Sequence, residues 1–513
     1  MISIIKTFPS LKQAKEATVE NLYKSIPIGC EVFSDIKTPI EVLKILKNIN
    51  KHCFILESVE DLKEWGRYTI IGFDPKLEIT CENHHIQMRG YKNIDKKTKN
   101  PGKYIREIIS ENRGPKISEL PPFTGGLVGY FAFDYIKYSE PSLDFDEANN
   151  ENFKYDSKGL FGKTFNESFK DLDLMLFDKV IVFDNFKQKM IMIINIKTEN
   201  IDEEYEKAVS ELNSLFDLIK NGEPIDELEN KLKLKSDFEP LFSKEKYCKI
   251  VKKAKEYIKE GDIFQVVLSN PLSCEIQGGL LDTYRILRTT NPSPYMFYFS
   301  SDKIEIAGAS PETLVKLQNK KLYAFPLAGT RPRGKNDEED KKFEEDLLSD
   351  EKELAEHNML VDLGRNDIGK VAKIGSVKLE KYLNIEKFSH VMHIGSTVTG
   401  MLKEDKDFLD VIDAILPAGT LSGAPKIRAC EIINELESNK RGIYGGAVGY
   451  ISLTGDLDTC IAIRMAFTKE NKVFIRSGAG IVADSVPDLE FEECMVKAKA
   501  VLNALKLAAT IKI

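Results

Sequence analysis

The chain has 513 residues, 42% hydrophobic and 30% charged, which excludes a disordered chain, a collagen and a small disulfide-stapled scaffold. Lys and Arg number 73 against 81 Asp and Glu, a net charge of −8; this argues against a nucleic-acid binder, because neutralising phosphates takes a basic domain. The length suits two to four domains or one large composite one, no stretch is apolar enough to span a bilayer, and the N-terminus lacks the pattern of a signal peptide, so a cytoplasmic protein with no membrane partner is expected.

In chain order, residues 38–49 have helical periodicity with Thr38 or Pro39 at the start. Residues 53–58 and 69–73 read as strands. Residues 121–133 pair a Pro/Gly turn with an apolar run. Residues 172–183 and 189–196 read as a hairpin around Asn185, and 202–220 as an amphipathic helix. The polar stretch 140–171 reads as a surface insertion. The charged stretch 221–243, with Pro224 and Pro240, reads as a linker or a solvated insertion. Ser243 caps a helix over 243–260 that Gly261 ends, and 263–269 follows as a strand. Further strands are expected at 295–299, 304–308, 313–317 and 321–325, and helices around 338–362 and 424–438. The chain closes with strands at 446–453, 459–468 and 472–477 and a helix over 488–508. Strands grouped between long helices predict an α+β fold with large, mainly antiparallel sheets.

Several residues stand out chemically. Glu353 and Glu356 lie three apart in an expected helix and share a face, as do Glu490 and Glu493 in the last helix, with Lys497 four residues on. Two such pairs facing each other would form an oxygen-rich Mg²⁺ site, although with 81 acidic residues the spacing alone fits solvated faces. Ser477-Gly478-Ala479-Gly480 offers backbone N–H groups to an anion, or is a tight strand-to-strand turn; it is no dinucleotide fingerprint, since G-x-G-x-x-G is incomplete. Arg464 sits among apolar neighbours and must be paired or face a ligand. Arg331, Arg333, Lys426 and Arg428 are as compatible with structural ion pairs as with carboxylate binding. His390 and His393 alternate with apolar residues, and in a strand that spacing points them to opposite faces, which disfavours a metal pair. None of the eight cysteines forms a C-x-x-C pair, so no zinc or disulfide framework is expected.

Taken together, PLAGTRPRG (326–334), AEHNMLVDLGRND (355–367), PAGTLSGAPKIRACEIINELE (417–437), YGGAVGYISLTGDLDTCIAIR (444–464) and SGAGIVADSVPDLEFEE (477–493) resemble the chorismate-utilising enzymes, and within them the anthranilate synthase component I branch. The resemblance runs from about Cys53 to the C-terminal helix. It implies a sandwich of antiparallel sheets with helices outside, and a Mg²⁺ cofactor held by Glu356 and Glu493 with Glu353 and Glu490 beyond them through water. Lys497 and the metal would hold the ring carboxylate of chorismate. Tyr444, Arg464 and the backbone of Gly478, Ala479 and Gly480 would hold the enolpyruvyl carboxylate, with Gly329 and Thr330 lining the pocket. Glu312 would be the general acid, with His393 assisting proton loss.

Two positions bear on the reaction the resemblance implies. Relatives that add water are expected to carry a lysine base where this chain has Gln265, which cannot take a proton from water; ammonia needs no such help. Ala328 stands where aminodeoxychorismate synthases often carry a nucleophilic lysine. Both favour amination of chorismate to anthranilate with release of pyruvate. The alternatives are an aminodeoxychorismate synthase large subunit and a non-catalytic tryptophan-sensing relative. No cysteine has the setting of a glutaminase nucleophile, so a separate glutamine amidotransferase subunit is the expected partner in a hetero-oligomer. Ser58, Pro294, Tyr295 and Met296 resemble the family's feedback motifs and would bind L-tryptophan. The expected division is a regulatory half, 1–235, and a catalytic half, 236–513.

Overall fold

The computed structural model describes residues 6–18, 22–58, 66–145, 169–226, 231–387 and 391–511. The elements that matter most below are, in chain order, the strands β1 (Cys53–Glu57), β2 (Gly126–Phe131), β3 (Gln265–Gln277), β4 (Tyr295–Ser300), β5 (Thr313–Gln318), β6 (Leu327–Pro332), β7 (Val391–Met401), β8 (Ala447–Ser452), β9 (Leu457–Ile461), β10 (Met465–Lys469) and β11 (Lys472–Ile481). The helices are α1 (Asp337–Ser349), α2 (Glu351–Val371), α3 (Lys426–Glu437) and α4 (Pro487–Thr510).

Strand pairing among the described residues is antiparallel and builds two sheets, one of fourteen strands and one of twelve. Alternation along each strand feeds two different cores. Phe54 on β1 points inward to a core shared with Phe177, Phe297, Val448 and Phe474 from both sheets. Its neighbours Cys53 and Ile55 point outward to a second core, where the first sheet meets helices that include α4. The second sheet is covered on its outer face by helices that include α2. The result is a helix–sheet–sheet–helix sandwich, as expected.

Three expected elements divide, each for a physical reason. The apolar run 172–183 is two strands, Leu172–Phe177 and Lys179–Asp184, and the chain passes from one sheet to the other at Asp178. The run 459–468 is likewise shared: β9 pairs β5 and β8 in the second sheet, and β10 pairs β11 in the first. The helix expected over 338–362 breaks at Asp350, whose carboxylate accepts from the backbone N–H groups of Lys352 and Glu353 and starts α2 afresh. The stretch 221–243 is no free linker: Lys233–Leu234 and Glu239–Pro240 both pair with β3. Local capping is where expected. Thr38 and Glu41 form a reciprocal box at the first turn of Pro39–Ile49, and Ser243 caps Lys244–Glu260.

Both sheets run through residue 235. β1 pairs β4 and β2 pairs β8, so each half of the chain supplies strands to each sheet.

Candidate active site

The site forms where β9 hands the chain to β10. Arg464, at that junction, has a left-handed backbone (φ 52°), which a non-glycine residue adopts at a cost and which marks a site held by its surroundings. Its guanidinium donates to the Lys497 carbonyl of α4 at 2.8 Å. Burial pulls its pKa down, and the nearby Tyr444 and Glu493 act against that; an arginine stays charged regardless.

Facing it, the segment Ser477–Gly480 lies inside β11 and not in a turn. Gly478 pairs with Ser269 of β3. A Cβ there would sit 2.5 Å from the Leu268 carbonyl and 3.1 Å from the Tyr444 hydroxyl, so only glycine fits between strand and ring. Lys497 Nζ donates to the Gly478 carbonyl at 3.2 Å and to Glu493 at 2.5 Å. The Ala479 side chain packs into an apolar cluster with Val266, Leu268 and Cys494, leaving only its backbone for a ligand. Gln265 is buried, and its amide fills the space beside Gly480, 2.7 Å from where a Cβ would lie.

The acidic pairs come together across α2 and α4. The Glu356 carboxyl is held above its ordinary pKa, first by partial desolvation and then by the like charges of Glu353 and Glu493, although the side chain opens to solvent. Glu490 is raised in the same way, by burial and by Glu493. Among the described residues no three His, Cys, Asp or Glu side chains already stand close enough to hold an ion. Mg²⁺ does not need such a cage: it takes one or two carboxylates, waters and a substrate oxygen. Oxygen donors that raise one another's pKa are in need of a cation, so the residues fit the ion by type and by charge.

Glu312, just before β5, accepts from the Thr420 hydroxyl at 2.9 Å. Burial pushes its carboxyl up to about 7, against the hydrogen bond from Thr420 and the Lys497 charge. It is therefore poised to carry a proton near neutral pH. His393 on β7 lies over β6: its Nδ1 is 2.8 Å from the Gly329 carbonyl and 3.1 Å from the Thr330 hydroxyl. Burial lowers its pKa, the bond to Gly329 acts against that, and Arg464 adds to the lowering. Gly329 has φ +65°, and a Cβ on it would approach Glu353 and Leu347. His390 lies outside the described residues.

The two expected tryptophan segments are neighbours. Met296 pairs with Glu57 across β4 and β1, which sets Ser58 and Pro294 at the same end. The Tyr295 hydroxyl donates to Asp458 at 2.8 Å and accepts from Thr313 at 3.1 Å. The other basic residues prove structural: Arg333 forks onto Asp340, Arg331 onto Asp346 and Asp350, Lys426 onto Asp367, and Arg428 onto Asp262. Sequence reasoning did not single out Thr420 or the buried Glu437, Arg441 and Arg476. Glu437 at a helix end reads as exposed until its partners are known, whereas Arg476, inside β11, carries the same signal as Arg464, a charge among apolar neighbours.

A model of the chorismate binding enzyme family matches residues 51–503. The chain is 43% identical over 512 residues to anthranilate synthase component 1 of Acetivibrio thermocellus, covering 98% of this chain and 100% of that one. It is 44% identical over 506 residues to the protein of the same name from Aquifex aeolicus, covering 97% and 98%. The crystal structure of anthranilate synthase component I from Streptococcus pneumoniae superposes with a TM-score of 0.70 at 36% identity, over 92% of this chain and 98% of that one. The menaquinone-specific isochorismate synthase MenF of Escherichia coli shares the fold, with a TM-score of 0.67 at 17% identity.

Proposed function

Since this chain belongs to the chorismate-binding enzyme family, we propose that it is the catalytic large subunit of an anthranilate synthase, converting chorismate and ammonia to anthranilate, pyruvate and water. Relatives that align with almost the whole chain at 40–44% identity carry that name. The observation that carries the reading is the convergence of Arg464, Tyr444, the Gly478 backbone and Lys497 on one side, with Glu312 acted on by Lys497 from the other. A substrate with two carboxylates needs two separate cationic holds, and this arrangement offers them.

In the mechanism we propose, Arg464 and Tyr444 orient the enolpyruvyl carboxylate against the Gly478–Gly480 backbone, and Lys497 turns to the ring carboxylate. Mg²⁺ bound by Glu356 and Glu493 would neutralise charge on that ring carboxylate. Ammonia forms a bond to C2 and donates its electron pair. Both ring double bonds shift, the C4–O bond breaks and the hydroxyl leaves as water with the proton of Glu312, and the new ammonium group releases one proton to become the amine. Removal of the C2 proton, assisted by His393, then breaks the C3–O bond and leaves the ring aromatic, and the departing enolpyruvate takes up a proton to become pyruvate. Gln265 takes no proton, which suits an amine nucleophile.

The ammonia is supplied by glutamine hydrolysis on a separate amidotransferase subunit, and L-tryptophan binds beside Ser58 and Pro294–Met296. On this reading residues 1–235 regulate and 236–513 catalyse. Eight free thiols suit a reducing, cytoplasmic setting, and no helix among the described residues is long and apolar enough to cross a membrane. The test is incubation with chorismate, Mg²⁺ and a large excess of ammonium near neutral pH, where Glu312 still carries its proton, without a partner. Anthranilate fluorescence with equimolar pyruvate is expected; an amino-chorismate product without pyruvate would overturn the reading.

A further inference from the structure

Behind the carboxylate-binding wall lies a charge cluster with no place in the chemistry above. The Glu437 carboxylate, at the end of α3, is fully buried. One oxygen accepts from the backbone N–H and hydroxyl of Ser269 at 2.7 and 2.8 Å and from Arg441 at 2.6 Å. The other accepts from Arg441 at 3.0 Å and Arg476 at 2.6 Å. Both guanidiniums are themselves buried, at 2% and 6% exposure. Arg441 also donates to the carbonyls of Leu421 and Val267, each at 2.6 Å, and Arg476 to the Lys440 carbonyl at 2.9 Å.

We propose that Glu437, Arg441 and Arg476 form a positioning network that also stores a surplus positive charge for the anionic substrate. The inference rests on the chorismate reading of the site. Its first half is connectivity. Arg441 reaches Leu421, next to the Thr420 that holds Glu312. Arg476 is two residues before Gly478 on β11, and Ser269 is Gly478's partner on β3. Arg441 stacks 4.5 Å from the Phe133 ring and lies 5.9 Å from the Tyr444 ring. One carboxylate thus ties together the segments that carry the acid, the ring and the anion-facing strand.

The second half is charge. Two cations share one anion at the centre; around them Asp134 acts on Arg476 and is offset by Lys440 at the surface, and Lys137 is paired with Asp171, so the wider set keeps one positive charge in excess. An uncompensated buried charge is costly, so a scaffold alone would favour one arginine per carboxylate. The charges of the network reach Tyr444: burial raises its pKa, Arg441 and Arg476 oppose that rise, and Glu437 adds to it. An anion beyond Tyr444 and Gly478 completes the charge balance.

Charge and scaffold separate by substitution. Arg441→Met and Arg476→Met remove charge and fork together; Arg441→Lys and Arg476→Lys remove only the fork. Chorismate KM and kcat are measured at saturating ammonium and Mg²⁺, with thermal melts to confirm folding. The Met variants are expected to raise KM about tenfold or more with kcat held within about threefold, and the Lys variants to restore KM to within about threefold of wild type. Lys variants as impaired as Met variants would overturn the stored-charge role. If a Met variant does not melt cooperatively, the Lys variant alone decides: near-wild-type KM supports the role and a tenfold rise overturns it. A wild type inert towards chorismate would instead sink the functional reading.

Discussion

At the residue scale the decisive quantities are one raised pKa and one missing Cβ. Glu312 must be protonated to act as an acid, and its carboxyl is pushed up to about 7. kcat/KM for chorismate at saturating free ammonia should therefore fall as pH rises through about 7. Thr420 donates to the ionised form and lowers the pKa, so Thr420→Val should move that limb to higher pH. Glu312→Gln should lower kcat by about 10²–10⁴-fold; full turnover would remove the acid role. Gly478→Ala places a methyl carbon against the Leu268 carbonyl and the Tyr444 hydroxyl. A loss of about 10- to 100-fold in kcat/KM is expected, carried mainly by chorismate KM. Arg464 is legible in sequence as a charge stranded among apolar neighbours. Its left-handed backbone is not, because that arises from a change of sheet.

At the element scale the break between α1 and α2 matters most. Asp350 caps α2, and the first turns of that helix carry Glu353 and Glu356. Asp350→Ala removes the acceptor for two backbone N–H groups and one of the carboxylates holding Arg331. It should lower the denaturant midpoint and raise the Mg²⁺ concentration that the proposed site needs for half-maximal turnover; an unchanged midpoint would show that the cap is redundant. The helical phase of both acidic pairs was readable from their spacing. That the two faces meet was not, since α2 and α4 cover opposite outer faces of the sandwich. Only the sheet crossings bring their ends to one site.

At the scale of the whole molecule, the halves are one hydrogen-bonded body. Residues 236–513 alone would expose the edges of β4 and β8, and unpaired edges invite aggregation. That fragment, expressed alone, should be insoluble or associated by size-exclusion chromatography; a folded monomer would refute the dependence. The same continuity gives a route for regulation. Tyr295, beside the proposed tryptophan site, bonds to Asp458 on β9 and Thr313 on β5, and Thr313 follows Glu312. Ser58→Arg should abolish tryptophan inhibition while leaving kcat near wild type, read from inhibition curves; unchanged inhibition would rule the site out.

The sequence by itself determined the features whose causes are local or linear. Thr38, Ser243 and Gly261 mark helix ends because a cap acts within one turn, and candidate site residues could be put forward because their motifs keep a fixed order. Tertiary structure decided which sheet each strand joins and which charges are buried. The apolar runs at 172–183 and 459–468 read as single strands because hydrophobicity does not record a change of hydrogen-bonding partner. Glu437 ends a helix in sequence, yet in space it is enclosed by Ser269 and Arg476, 168 and 39 residues away. A carboxylate's environment depends on such distant partners, and no local pattern encodes them.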